Sequence, residues 1–316
     1  MLAMIGTVLP VILIFFLGVW TRRTNFISAE AMKDIKKFIL NIALPCVLLQ
    51  TFMTMEIEKE YFTMVFLTFV LLFLLLVGGK VFDVIPNMKY RYNPYMCTGF
   101  SFGLVGLSLF SMIYGTQRLQ YFAAMGLAHE VFVWTVYYII FRGSEQDEKM
   151  DFSIILNVFK SPLIISVVVG ICINLLGLTP MLLSNSFCAG IITTLEYIGN
   201  TATPFMLISI GYGLTLEAKY LKESAKLMAV RTVVLVVIGI LFKFLVVDQF
   251  MSSSMLLDVS YVSFLLLPPL FSLPILISEK GEQEDIDIVT SAVGIYTMVS
   301  ILLFIAFAFL VPIELL

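Results

Sequence analysis

Of the 316 residues, 60% are hydrophobic and only 13% are charged, and the mean hydropathy is +1.02. That composition excludes an ordinary soluble domain, and a net charge of −3 with no basic cluster offers no surface for nucleic acid. Four cysteines (Cys46, Cys97, Cys172, Cys188) form no CxxC and have no histidine at a ligand spacing, so they read as small apolar packing residues, and neither metal nor cofactor is expected.

A helix needs about 20 apolar residues to cross some 30 Å of hydrocarbon. Ten such windows occur, at about 3–20, 37–54, 61–83, 95–114, 120–141, 153–178, 187–215, 224–247, 255–278 and 288–312. The first has no basic leader and nine spans follow it, so it reads as a retained helix and not as a signal peptide. Span 2 contains Asn41-Ile42-Ala43-Leu44-Pro45, in which the proline has no N–H to give the asparagine carbonyl four residues earlier. Span 4 has no internal proline but carries Gly99, Gly103, Gly106, Ser101 and Ser108, which would permit either an unwound stretch or close helix packing. Near the middle of span 5 lie His129, the single histidine, and Glu130. A carboxylate at that depth is costly unless paired, protonated or wet, which makes Glu130 a candidate proton carrier and His129 its partner or a plain interhelical hydrogen-bonding group.

The charged connection from Arg142 to Asp151 divides the chain into two sets of five spans, 1–148 and 149–316. The second set echoes the first. Pro162 and Gly170 in span 6 repeat the spacing of Pro10 and Gly18 in span 1, and Asn200-Thr201-Ala202-Thr203-Pro204 in span 7 repeats the motif of span 2. Leu273-Pro274 and Gly281 in span 9 repeat Leu107-Ser108 and Gly115 in span 4. Span 9 also holds Pro268, Pro269 and Pro274, and three prolines in seven residues predict two half-helices joined by an extended stretch. The N-terminus of the second half-helix would present free N–H groups, suiting an anion without a buried arginine. Polar residues elsewhere in the spans (Gln50, Glu196, Lys243) read as packing or interfacial groups.

Of the 19 lysines and arginines, sixteen fall to the odd-numbered connections, Arg231 being counted with the seventh. The positive-inside bias then puts those connections in the cytoplasm and both termini outside. Five spans per half force the second half to insert from the opposite side, so the repeats are inverted.

Together, Leu9-Pro10 with Gly18, Asn41 to Pro45, Lys160-Ser161-Pro162 with Gly170, Asn200 to Pro204 with Ile210-Gly211, and Leu267-Pro268-Pro269 with Gly281 resemble the auxin efflux carrier family. The resemblance implies an all-α polytopic protein of ten helices in two inverted five-helix repeats, a fold shared with bile-acid symporters and sodium/proton antiporters. It implies a scaffold of spans 1, 2, 6 and 7 and a transport unit of spans 3–5 and 8–10, with broken spans 4 and 9 crossing. Family members carry an asparagine and a proline in span 4, in a pattern like Asn-Thr-Gly-Phe-x-Gly-x-Pro. Here Ser101-Phe102-Gly103-Leu104-Val105-Gly106-Leu107-Ser108 has serine at both places.

The function expected is a secondary carrier of a small organic anion, such as a dicarboxylate or an auxin-like acid, in the cell's inner (plasma) membrane. Its substrate-site candidates are Asn41, Pro45, Ser101, Ser108, Asn200, Pro204, Pro268, Pro269, Ser272 and Pro274, with Glu130 and His129 for proton coupling. Expected partners are that anion, the lipid bilayer and a second copy of the chain, with no nucleic acid. A sodium/proton antiporter or cation carrier on the same fold usually requires intramembrane aspartates beside the crossing, and a non-transporting membrane sensor would be favoured by a fused soluble signalling domain. No nucleophile–base or metal set suggests an enzyme.

Overall fold

A computed structural model describes residues 2–54, 59–115, 118–145, 162–213, 219–277 and 281–313. Of the described residues 85% are helical, and none lies in a strand. In chain order the helices are α1 (Leu2–Arg23), α2 (Ala29–Phe38), α3 (Leu44–Thr54), α4 (Lys59–Val81), α5 (Asn93–Thr98), α6 (Leu107–Tyr114), α7 (Gln120–Phe132), α8 (Tyr138–Glu145) and α9 (Pro162–Leu175). They continue with α10 (Thr179–Ser184), α11 (Ser186–Asn200), α12 (Ala202–Gly213), α13 (Leu221–Phe242), α14 (Met255–Leu265), α15 (Leu273–Ile277) and α16 (Gln283–Leu310). Wide π turns at Ile39–Ala43, Phe102–Gly106, Val133–Tyr137 and Lys243–Val247 lie along these rods.

Among the described residues, five helical stretches are long and apolar enough to cross a bilayer: Ala29–Thr54, Glu60–Val84, Gln120–Gly143, Leu221–Phe250 and Gln283–Leu310. The start of the sixth sequence window and most of the charged 142–151 connection lie outside the described residues. Arg231 needs correction. It is not in a connection but midway along α13, fully buried, so the odd-connection tally falls to fifteen.

By contacts the chain forms two units, 1–57 with 150–213, and 58–149 with 214–316. In the first, α1 packs on α12, and α3 is held between α9 and α11. Small residues let the first pair approach closely. A Cβ on Gly18 would lie 2.1 Å from the Ile208 carbonyl oxygen, and one on Gly211 would lie 2.0 Å from that of Phe15. Membrane helices lack a strong hydrophobic drive towards one another, so such backbone contact supplies much of their attraction.

The same unit shows how helix ends are satisfied by side chains of neighbouring segments. The last carbonyls of a helix have no intrahelical partner. At the end of α3, Asn174 Nδ2 donates to Phe52 O at 2.9 Å and Thr179 Oγ1 to Met53 O at 2.8 Å. Gln50 Nε2 donates in turn to Ile192 O at 3.1 Å, giving that polar side chain a role between helices.

The second unit is built around α4 and α13, which pack on each other and on α5, with α7 against α4 and α16 against α13. Its interior is aromatic. Phe110 stacks on Phe122 at 4.4 Å between centroids, Phe100 meets Phe264 at 4.7 Å, and Phe102 meets Phe122 at 5.1 Å. Lys243 is bonded to Asp248 and, at 2.7 Å, to Asp258. Asp258 thus sits in the first turn of α14, at the end away from the prolines.

Replacing Gly18 by alanine is expected to force α1 from α12 and cost about 1–3 kcal/mol, seen as a lower melting temperature in detergent. Gly190→Ala, whose Cβ would meet nothing within 4 Å, should not lower it. Equal melting of both variants and the parent would contradict the close α1–α12 contact.

Candidate functional site

The second unit contains two interrupted segments, and the cause differs between them. Between α14 and α15 the chain is not helical from Leu266 to Ser272. Pro268 and Pro269 have no N–H to continue the ladder, and each disfavours helix at the residue before it. Pro274 lies in the first turn of α15, where a missing N–H costs nothing. Between α5 and α6 the helix stops at Thr98, and Gly99 is extended at φ −77° and ψ 138°. No proline forces this second stop.

Partners hold it instead. Phe100 forms an antiparallel bridge with Pro269, and Ser101 N donates to Pro268 O at 2.9 Å. Ser101 Oγ donates to Pro269 O at 2.5 Å. Ser101 therefore ties one broken segment to the other. Both proline carbonyls, which would otherwise be orphaned in an apolar interior, are satisfied by one residue.

Arg231 completes the arrangement. Its Nη1 donates to Met96 O and, at 3.0 Å, to Gly99 O, and its Nη2 donates to Leu267 O at 3.0 Å. Met96 and Gly99 lie at the end of α5, and Leu267 lies just beyond the end of α14. The guanidinium also stands over the rings of Phe100 at 4.7 Å and Tyr296 at 5.1 Å, a cation–π setting. No carboxylate pairs with it among the described residues. The expected anion site without a buried arginine is thus corrected. A sequence signal existed, since Arg231 is a lone charge inside the apolar run from Leu227 to Phe242, but the charge tally absorbed it.

His129 is fully buried on α7. Its Nε2 accepts from Phe100 N at 2.9 Å, so in the neutral ring the proton is on Nδ1. Nδ1 lies 3.4 Å from Glu130 Oε1. Glu130 Oε2 accepts from Trp134 Nε1 at 3.0 Å, and the Glu130 side chain keeps 12% exposure. The histidine thereby serves the break in the span-4 segment, and the carboxylate next to it is not fully enclosed by the protein.

The other sequence candidates divide between the units. Ser272 is buried, and its Oγ has no hydrogen-bond partner among the described residues. Ser108 lies in α6, and its side chain lies outside the described positions. Asn41, Pro45, Asn200 and Pro204 belong to the first unit. The Asn41 side chain is exposed and donates to Lys37 O at 2.8 Å, beside the π turn that absorbs the missing N–H of Pro45. Asn200 is exposed at the end of α11, and Pro204 sits in the first turn of α12.

The His129→Phe variant should leave the Phe100 amide unpaired and lower the melting temperature by the equivalent of about 1–3 kcal/mol. His129→Gln retains an acceptor and should lose distinctly less. Equal losses in the two variants would mean that the histidine–amide bond does not hold the break in place.

A family model described as membrane transport protein matches residues 3–308. No curated protein matches the chain. The family match spans nearly all of the sequence, and with the long apolar helices it identifies a multi-pass membrane protein with a transported small-molecule substrate. The chain belongs to the membrane transport protein family, the family of the auxin efflux carriers.

Proposed function

We propose that the protein is a secondary active carrier of a small organic anion, of the dicarboxylate or auxin-like class, working by alternating access. The observation that carries this reading is the Arg231 guanidinium, buried among carbonyls with no carboxylate beside it among the described residues. A charge so placed leaves a net positive field in an apolar interior, where it acts far more strongly than in water. An anion arriving near the paired breaks relieves that imbalance, whereas a cation meets repulsion. The cation-antiporter alternative is correspondingly disfavoured.

In this reading the substrate carboxylate takes a hydrogen bond from Ser272 Oγ, a buried hydroxyl with no partner among the described residues. Ser101 acts indirectly, because its hydroxyl proton is already given to Pro269 O. Glu130, with Trp134 on one oxygen and partial exposure, takes up and releases a proton as the carrier turns over. The two-unit division supports a mechanical counterpart. Residues 1–57 with 150–213 hold spans 1, 2, 6 and 7, the proposed scaffold, and the remaining residues hold the spans of the proposed moving part. The inverted-repeat topology of 1–148 and 149–316, with both termini outside the plasma membrane, belongs to the same proposal.

Purified protein in liposomes, offered labelled dicarboxylates and indole acids, tests the reading. Ser272→Ala should raise KM for the transported anion about tenfold, in line with the loss of one hydrogen bond to a charged group, with the melting temperature unchanged. An unaltered KM would remove Ser272 from the site. Glu130→Gln should make uptake independent of an imposed pH gradient, and unchanged pH dependence would exclude Glu130 from coupling. Failure of every organic anion to enter would overturn the carrier reading.

A further inference from the structure

We infer that Arg231 is a resident cation, occupying a carbonyl cluster that would otherwise bind a monovalent metal ion. Resting on the carrier reading, this assigns a positioning residue and, beneath it, a latent sodium site. Discontinuous membrane helices expose carbonyls at the ends of their half-helices and along the unwound chain, and in transporters such groups coordinate sodium. In this protein the carbonyls of Met96, Gly99 and Leu267 converge from both interrupted segments, and the guanidinium of Arg231 satisfies all three.

The substitution has a physical logic. Three carbonyl dipoles pointing into a site closed to water need positive charge, and a mobile ion supplies it only while bound. An arginine supplies it permanently, and its planar fork of donors fixes the directions of the carbonyls as well as their charge. Stacking over Phe100 and Tyr296 holds the guanidinium plane in place. The breaks therefore keep their geometry without an added ion, and the positive charge that a coupling ion would bring to an anionic substrate is already built in.

The test compares melting of the detergent-purified full chain in sodium, potassium and choline chlorides at matched ionic strength. Parent protein should melt at one temperature in all three. Arg231→Met opens the carbonyl cluster, and sodium should then raise its melting temperature by about 5 °C over choline, as expected for an ion that binds only the folded state. Arg231→Lys restores a charge and should show no sodium response. Sodium-specific stabilisation of the parent overturns the inference, as does a folded Arg231→Met that ignores sodium. If Arg231→Met does not fold in any salt, the lysine variant decides: a folded, sodium-indifferent protein supports the inference, and a loss of fold as complete as that of the methionine variant overturns it. The carrier reading is judged separately, by whether an organic anion stabilises the parent in choline chloride. That result stands whatever sodium does to the variants.

Discussion

Backbone groups freed inside an apolar interior must find partners within the protein, and the second unit is organised around meeting that demand at two places at once. Where the chain stops being helical after Thr98 and after Leu265, the exposed groups are satisfied by one another, by His129 and by Arg231. Each partner comes from a different helix, so the interrupted segments are cross-braced by α7 and α13. The aromatic packing of Phe100, Phe102, Phe122 and Phe264 closes around the same point and keeps water from competing for these bonds.

That arrangement also sets the electrostatics. Arg231, protonated like any arginine and without a carboxylate partner among the described residues, makes the local field positive even though the chain as a whole carries −3. Ser101 spends its hydroxyl on Pro269 O, whereas Ser272, beside the same break, is one of several buried hydroxyls without a partner among the described residues.

Some of this was readable in the sequence and some was not. Helical, membrane-spanning character follows from the apolar windows, and the membership that Asn41 to Pro45, Asn200 to Pro204 and the span-9 prolines suggested is the one the family match gives. The interruption around Pro268 and Pro269 was legible because proline acts locally, through its own missing N–H. The stop at Gly99 was ambiguous, because glycine and serine permit a break without requiring it, and tertiary partners 29 to 168 residues away decide the matter. Arg231 escaped for a related reason. Its bonds reach 36 to 135 residues along the chain, and a lone charge inside an apolar run does not show in sequence which distant groups it meets. The glycines of the recurring motifs were visible as a pattern, while the backbone contact they serve, Gly18 on Ile208 and Gly211 on Phe15, needed the packed helices.

Hydrogen–deuterium exchange at the amides of Phe100 and Ser101 tests the paired breaks most directly. These residues are not helical, yet their N–H groups are bonded to His129 and Pro268, so exchange as slow as in the middle of α4 and α13 is predicted. Exchange within seconds, at the rate of an open loop, would contradict the cross-braced site on which the anion-carrier reading depends.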